Sequence, residues 1–460
     1  MSVLKRVVSR RDFLRLTMAA SGVAALAACA APAAPAAPAA SSGAAASEAA
    51  APAAEPVELR VSILQGAPVE PVNNFLSEAT IAKNPTVTTK FEFISGDLAE
   101  LVYAQAAAGT LADVFFSADL FAVPFAKNGV SLDLRAMAEG DADVDLDDVF
   151  PAMLGLGTVD NEIHFLPSGL DVVTMYYNKT LFEQAGAELP TDTWTWDDLI
   201  TNCKLITEME KDESGNPKYW GMSNATWNWW ATVYPWVVGH GGLILADNKS
   251  TWSDPKTVEG LQAYADLWAK HNIAQPLGLD VGGDSFQLGR AAIYPYIQAV
   301  RTPIRDNVAD KFEWDVQVMP LMPDGKHRTG MGTWGMSAYS GSKNPELAYQ
   351  YVKNIITPDV QTKMTKAEII VPLLRSIAEG SEWMQGLKTP PQNFMAFVNG
   401  ADDAILPVMD HPADCGSFYV GVVQQAYQAA LEEVIRGTKG AEEAFTAADV
   451  TIQACLDENG

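Results

Sequence analysis

The sequence predicts an α/β fold divided into two lobes. Three observations carry this expectation. At 460 residues the chain is too long for one hydrophobic core, because single cores stop growing at about 250–300 residues. Strand-like runs alternate with helix-like runs through the first folded part, which is the pattern of helices covering a mainly parallel sheet. A hydrophobic content of 48% with mean hydropathy near zero describes a globular protein, neither disordered nor polytopic.

The chain opens with a leader. Residues 1–28 hold Lys5, Arg6, Arg10, Arg11 and Arg15 against Asp12. Ser9-Arg10-Arg11-Asp12-Phe13-Leu14 resembles a twin-arginine export motif, and Leu26-Ala27-Ala28-Cys29 resembles a bacterial lipobox, whose cysteine takes a lipid before cleavage on its N-terminal side. The apolar run between them is too short for an ordinary transmembrane helix. Residues 29–56 are almost all Ala, Pro, Ser and Gly, so they cannot bury a core and read as a disordered spacer.

The folded body follows. Val57 to Leu64 alternates (Val57, Leu59, Val61, Ile63) and reads as a first strand. Pro71 to Lys83 has a helical pattern, Thr86 to Ile94 alternates again, and Asp97 to Ala108 is a helix closed by Gly109. Ala112 to Ser117 is a short apolar strand, and Phe121 to Asn128 a helix. Asp141 to Asp148 (DADVDLDD) looks at first like a calcium loop. Leu146 stands where an EF-hand needs Gly, and Ala152 where it needs a bidentate acid, so a solvated acidic loop is expected.

Val172 to Tyr177 is rich in β-branched and aromatic residues and suits a buried strand. Thr180 to Ala185 is a short helix stopped by Gly186. Thr195 is placed to cap the next helix, with Asp198 as its capping-box partner and Leu199, Cys203, Ile206 and Met209 as its buried stripe. Tryptophan is enriched from Trp194 to Trp236, and Trp227, Trp229 and Trp230 fall in a loop-like stretch. Asp254 to His271 is an amphipathic helix with Pro255 at its first position, and helices at Ala430 to Ile435 and Ala441 to Leu456 end the chain.

Charge and missing motifs narrow the function. The formal charge is −26; the first 28 residues carry +4, which leaves −30 on the remainder. A body this acidic repels nucleic acid. No GxSxG elbow, HExxH or Walker-type loop occurs, and the five histidines show no pair at ligand spacing, so no metal or other cofactor is expected. The three cysteines beyond Cys29 are too few for a disulfide framework, although one Cys415–Cys455 bond is open to the chain in an oxidising compartment.

Several segments in order carry a family resemblance. They are PSGLDVVTMYYNK from Pro167, LFEQAG, PTDTWTWDDL, FQLGRAAIYP from Phe286 and SKNPELA from Ser342. Each is loose alone; their order from Val57 to Leu456 resembles the extracellular solute-binding proteins of carbohydrate ABC importers, the group that includes the maltose-binding protein. The resemblance implies a periplasmic-binding-protein type II-like fold, with two α/β lobes joined by a multi-strand hinge. It assigns 57–170 with 293–341 to one lobe and 171–292 with 342–460 to the other. It also implies a receptor that performs no chemistry, works as a monomer, closes on a mono- or oligosaccharide and docks on ABC permease subunits. With the leader motifs, it implies an extracytoplasmic protein lipid-anchored through Cys29.

A sugar receptor needs flat aromatic faces for the apolar side of a pyranose, and carboxylates or amides for its hydroxyls. Gln65, Ser117 and Asp119 follow the C-terminal ends of strands, where open α/β sheets bind ligands. Asp171 lies in the crossing segment, where related sugar receptors place an acidic contact. Trp227, Trp229 and Trp230 lie where the family supplies a stacking aromatic. Trp334 follows Gly332 in a crossing strand, Tyr296 follows the GRAAIY element, and Tyr419 precedes a C-terminal helix as in the maltose-binding pattern. Trp194, Trp196, Trp252 and Trp268 are expected in the core, and Arg290 and Tyr177 are assigned to structure. Two alternatives stay open: the same fold binding a polyamine, glycerol phosphodiester or peptide, and a surface glycoside hydrolase.

Overall fold

Alternation in Val57–Ile63 drives Leu59, Val61 and Ile63 into one core, each with none of its surface exposed. The computed structural model describes residues 56–66, 68–407, 415–417 and 421–459, all within one unit, Ala54–Gly460. The leader motifs, Cys29, the spacer up to residue 55 and Tyr419 lie outside the described residues.

The strands that build the two sheets and their link are, in chain order, β1 (Val57–Ile63), β2 (Val87–Phe93), β3 (Val114–Ala118), β4 (Leu166–Pro167), β5 (Asp171–Val172), β6 (Thr174–Asn178), β7 (Trp220–Met222), β8 (Ala291–Tyr296), β9 (Trp314–Gln317), β10 (Met331–Gly332) and β11 (Trp334–Ala338). The helices of seven residues or more are α1 (Val69–Lys83), α2 (Leu98–Ala107), α3 (Asp119–Lys127), α4 (Lys179–Ala185), α5 (Trp196–Met209), α6 (Trp230–Gly239), α7 (Pro255–Ala269), α8 (Arg301–Val308), α9 (Pro345–Lys353), α10 (Pro358–Lys366), α11 (Gly421–Ile435) and α12 (Ala441–Asn459).

The first sheet has the order β2-β1-β3-β11-β4. β1 pairs in parallel with β2 and β3, and α1 and α2 supply the crossovers that parallel neighbours require. β11 is antiparallel to both β3 and β4. The second sheet, β9-β6-β8-β7, is mixed: β6 is antiparallel to both its neighbours, and β8 is parallel to β7. Its two faces serve two cores. Met175 and Tyr177 point into the core shared with α5, α6, α7, α11 and α12, while Tyr176, Tyr294, Trp314 and Val316 join the core of the first sheet. The expected strand Val172–Tyr177 is interrupted at Val173, whose N–H turns to the Gly330 carbonyl. That break separates β6 from β5, and β5 pairs instead with β10 in a two-stranded antiparallel ribbon. The chain thus passes between the two sheets through this ribbon.

Local chemistry decided several elements as expected. Thr195 and Asp198 form the capping box of α5, and Gly186 ends α4 at φ 63°. Trp194, Trp196, Trp252 and Trp268 are all buried. Cys415 and Cys455 are joined in a disulfide with their Cα atoms 5.7 Å apart, which settles the pairing the sequence left open.

Residues 293–341 serve both sheets: β8 and β9 supply the ladders on the two sides of β6, while β11 pairs in the first sheet. Residues 342–460 divide as well. Tyr351 Oη donates to Asn73 Oδ1 (2.9 Å) and Asn354 Nδ2 to Thr80 Oγ1 (3.0 Å), so α9 and its extension dock on α1 beside the first sheet, while α11 and α12 pack with α7. The acidic loop is not simply solvated. The Lys353 ammonium, on a residue 2% exposed, pairs with Asp141 and with Asp143 (3.2 Å), and Asp143 also meets Lys83 (2.6 Å). A desolvated cation needs these carboxylates, and the loop folds onto it.

Candidate functional site

Where the ribbon joins the first sheet, two carboxylates meet over one glycine. Asp171 is the cross-strand partner of Gly332. Asp119, the first residue of α3, donates its N–H to the Thr333 carbonyl (2.9 Å) and lays its carboxylate over the same glycine. A Cβ at Gly332 would come within 2.0 Å of Asp119 Oδ2. Only a residue without a side chain lets that carboxylate approach the ribbon so closely. Asp119 and Asp171 are 6% and 8% exposed, so both acids are held largely out of water.

The surroundings of Asp171 are asymmetric. Gln298 donates a hydrogen bond to its carboxylate, yet Oδ1 is buried without a hydrogen-bond partner. Burial pushes its pKa up to about 7 against the pull of the Gln298 hydrogen bond, and the Asp119 charge adds a lesser push that Arg301 opposes. Arg301 is 1% exposed; its Nη2 donates to the Glu368 carbonyl (3.0 Å), while Nε and Nη1 are buried without partners. Burial lowers the pKa of this guanidinium. Gln298 also donates to the Ile369 carbonyl (3.1 Å), so the segment after β8 grips both the ribbon and the chain at 368–371.

Aromatic rings stand beside the acids. Tyr296, at the end of β8, packs on Trp229 with ring centroids 5.1 Å apart and on Tyr294 at 5.3 Å. Burial, then the Asp171 charge, raise the pKa of the Tyr296 hydroxyl. Trp334 opens β11 opposite Ala118 and stacks on Phe116 at 5.9 Å. Trp229, Tyr296 and Trp334 are each half-buried.

The structure separates the residues picked from the sequence. It brings together Asp119, Asp171 and Trp334 around the ribbon, with Tyr296 and Trp229 beside them. Ser117 is fully buried in β3 opposite Gly335, and its Oγ has no partner. Gln65 is exposed; the register Val61–Val114 and Ser62–Phe115 carries it to the sheet edge where α3 begins. Trp227 is half-buried against the second core, and its carbonyl accepts from Tyr264 Oη (2.9 Å). Trp230 is corrected: it begins α6 and is 1% exposed inside the second core, so its ring has no open face. Gln298 and Arg301 had no sequence signal, because a short polar helix start looks the same at a hinge as on a surface. Among the described residues no group of His, Cys, Asp and Glu could hold a metal ion.

Comparison with known proteins agrees with this architecture. A binding protein of Brucella abortus is 23% identical over 334 residues, covering 71% of this chain and 79% of its own. The structure of a Listeria monocytogenes ABC substrate-binding protein in complex with cycloalternan is 22% identical, with a TM-score of 0.71 over 88% of this chain and 100% of that one. The sugar-binding protein MalE of Xanthomonas citri is 17% identical, with a TM-score of 0.74 over 87% of this chain and 98% of that one. At such identities the likeness to these structures is one of fold: two lobes of mixed α/β structure. Residues 68–362, more than half of the chain, match the profile described as bacterial extracellular solute-binding protein. The chain therefore belongs to the bacterial extracellular solute-binding proteins.

Proposed function

We propose that the protein is a carbohydrate receptor that holds its ligand between the two lobes and delivers it to an ABC permease. The observation that carries this reading is the acid pair Asp119 and Asp171 with the aromatic pair Trp229 and Tyr296 beside it. Rings offer flat apolar faces, and carboxyls offer the hydrogen bonds a ring hydroxyl needs. The Listeria and Xanthomonas proteins named above bind cycloalternan and sugar respectively, which supports a saccharide over other solutes. Holding a ligand at micromolar strength takes about −8 kcal/mol net, within reach of a few stacked rings and hydroxyl contacts.

In this reading the ligand contacts are Asp119, Asp171, Trp229, Tyr296 and Trp334, with Gln65, Ser117, Trp227 and Tyr419 as further candidates. The protein performs no chemistry and acts as a monomer. Residues 1–28 are its signal peptide, Cys29 carries the lipid, and 29–56 tether the body outside the cytoplasm. Among the described residues no helix is long and apolar enough to cross a membrane. The test is a thermal-shift screen of residues 57–460 against saccharides, polyamines and glycerol phosphates, since a ligand that binds only the native state raises the melting temperature. A shift with a saccharide, lost in Asp119→Ala, supports the receptor. A shift with charged solutes alone overturns the carbohydrate assignment, and turnover of a glycoside overturns the receptor.

A further inference from the structure

Helix α10 ends on a residue that its backbone does not favour. Glu368 takes φ 59°, and its N–H and that of Ile369 donate to the Thr365 and Met364 carbonyls (2.9 and 3.1 Å). Helices α3 and α4 end on the same pair of bonds, with Gly129 (φ 66°) and Gly186 (φ 63°) at the equivalent place. Glycine is usual there because a Cβ strains the left-handed conformation. A strained residue persists only where its surroundings hold it, and such positions cluster at functional sites.

The contacts of Glu368 account for the departure. Its carboxylate accepts from Arg305 Nη1 (2.7 Å) and from the Lys388 N–H (2.9 Å), and its carbonyl accepts from Arg301 Nη2 (3.0 Å). The ion pair is largely out of water, with the Arg305 and Glu368 side chains 11% and 15% exposed. Both arginines belong to α8, which follows the strand ending at Tyr296. The residues just after Glu368 lie against the ribbon. The Ile369 carbonyl accepts from Gln298 (3.1 Å), and the Val371 carbonyl from the Leu170 N–H (3.0 Å). A Cβ at Gly169 would meet Ile370 Cβ at 2.7 Å and the Val371 oxygen at 2.8 Å, so the two backbones touch immediately before Asp171.

We propose that Glu368 is a positioning residue for ligand binding. It locks the turn after α10, so that Ile369 to Val371 press on the ribbon and hold Asp171 in place relative to Tyr296. It acts through these residues and touches no ligand itself. The consequence for affinity rests on the carbohydrate reading, whereas the fastening of Asp171 does not.

The test is Glu368→Gly, which relaxes the backbone and removes the side-chain fasteners together. A residue needed only to end the helix can be replaced by glycine without loss of affinity. For a positioning residue, calorimetry with maltose, or with the screened saccharide that gives the largest thermal shift, is expected to show Kd raised about tenfold. Hydrogen exchange of the ligand-free protein is expected to be about tenfold faster in the segment 168–173, with 57–63 unchanged. An unchanged Kd overturns the proposal, and so does exchange at 168–173 that is unchanged or that quickens equally at 57–63. Glu368→Gln, which removes the ion pair and keeps a Cβ, gives the same readouts with the same meaning where Glu368→Gly fails to fold. Faster exchange at 168–173 with wild type binding no screened saccharide would sustain the fastening and count against the carbohydrate reading alone.

Discussion

Two clusters of acids in the molecule are built in opposite ways. At the loop 140–144, Asp141 and Asp143 close on the Lys353 ammonium, and Lys83 completes the set. At the ribbon, Asp119 and Asp171 share a glycine, and no cation among the described residues forms an ion pair with Asp171. The first cluster is satisfied by its own fold; Asp141 titrates below its ordinary value, with Lys353 and Tyr349 bonds outweighing the cost of burial. The second leaves Asp171 raised and one oxygen without a hydrogen bond. The first arrangement fastens a loop; the second keeps a buried carboxyl with one oxygen unbonded at the ribbon. In the sequence the first cluster has only a passing likeness to a calcium loop, and the structure closes it on Lys353 instead.

The contrast can be broken most directly through pH. Asp171 rises from an ordinary 3.8 to about 7 in the folded protein, so its contribution to stability is complete below the unfolded value and is lost as pH rises through the folded one. Urea denaturation from pH 4 to 8 is expected to show wild-type stability falling by up to about 4 kcal/mol relative to Asp171→Asn. Equal slopes in the two proteins would place Asp171 in the same satisfied class as Asp141. The reciprocal test is Asp141→Ala, which strands Lys353 with the more exposed Asp143 alone. A loss of about 3 kcal/mol is expected by denaturation, with no change in saccharide affinity. An affinity change would mean that the two clusters communicate.

Gly332→Ala sharpens the second cluster by geometry. Its Cβ must displace the Asp119 carboxylate, at a cost of about 1–3 kcal/mol in stability and with a loss of affinity for the saccharide giving the largest thermal shift. An unchanged Kd by calorimetry would remove Asp119 from the site. The smallest effect is expected at the rings. Trp229→Ala forfeits about 1 kcal/mol of stacking, roughly a fivefold to tenfold rise in Kd, with the pH slope untouched.

Local patterns made much of the fold legible. The alternation of β1, the Thr195 cap and Gly186 depend on residues within a few positions of one another, and they stand where the spacing put them. Asp119 was legible as a strand-end acid, and Asp171 through the family resemblance of the crossing segment. Their meeting at Gly332 was not, because cross-strand partners far apart in sequence leave no local pattern. The same holds for β8 and β9, whose apolar composition suits either sheet and whose place is set by the ladder to β6. Trp229 and Trp230 are neighbours of identical type, and the start of α6 between them sends one ring toward Tyr296 and the other into the core.

The ribbon has a mechanical meaning. Its strands are two residues each, set between sheets of five and four strands. A ladder that short resists torsion weakly beside the broad sheets it joins, so the sheets behave as stiff lever arms on a soft axle. Asp171 sits on the axle itself, with Asp119 on one arm and Trp229 on the other. A molecule gripped by both arms therefore does work on the axle, and its chemical identity leaves the protein as a change of angle.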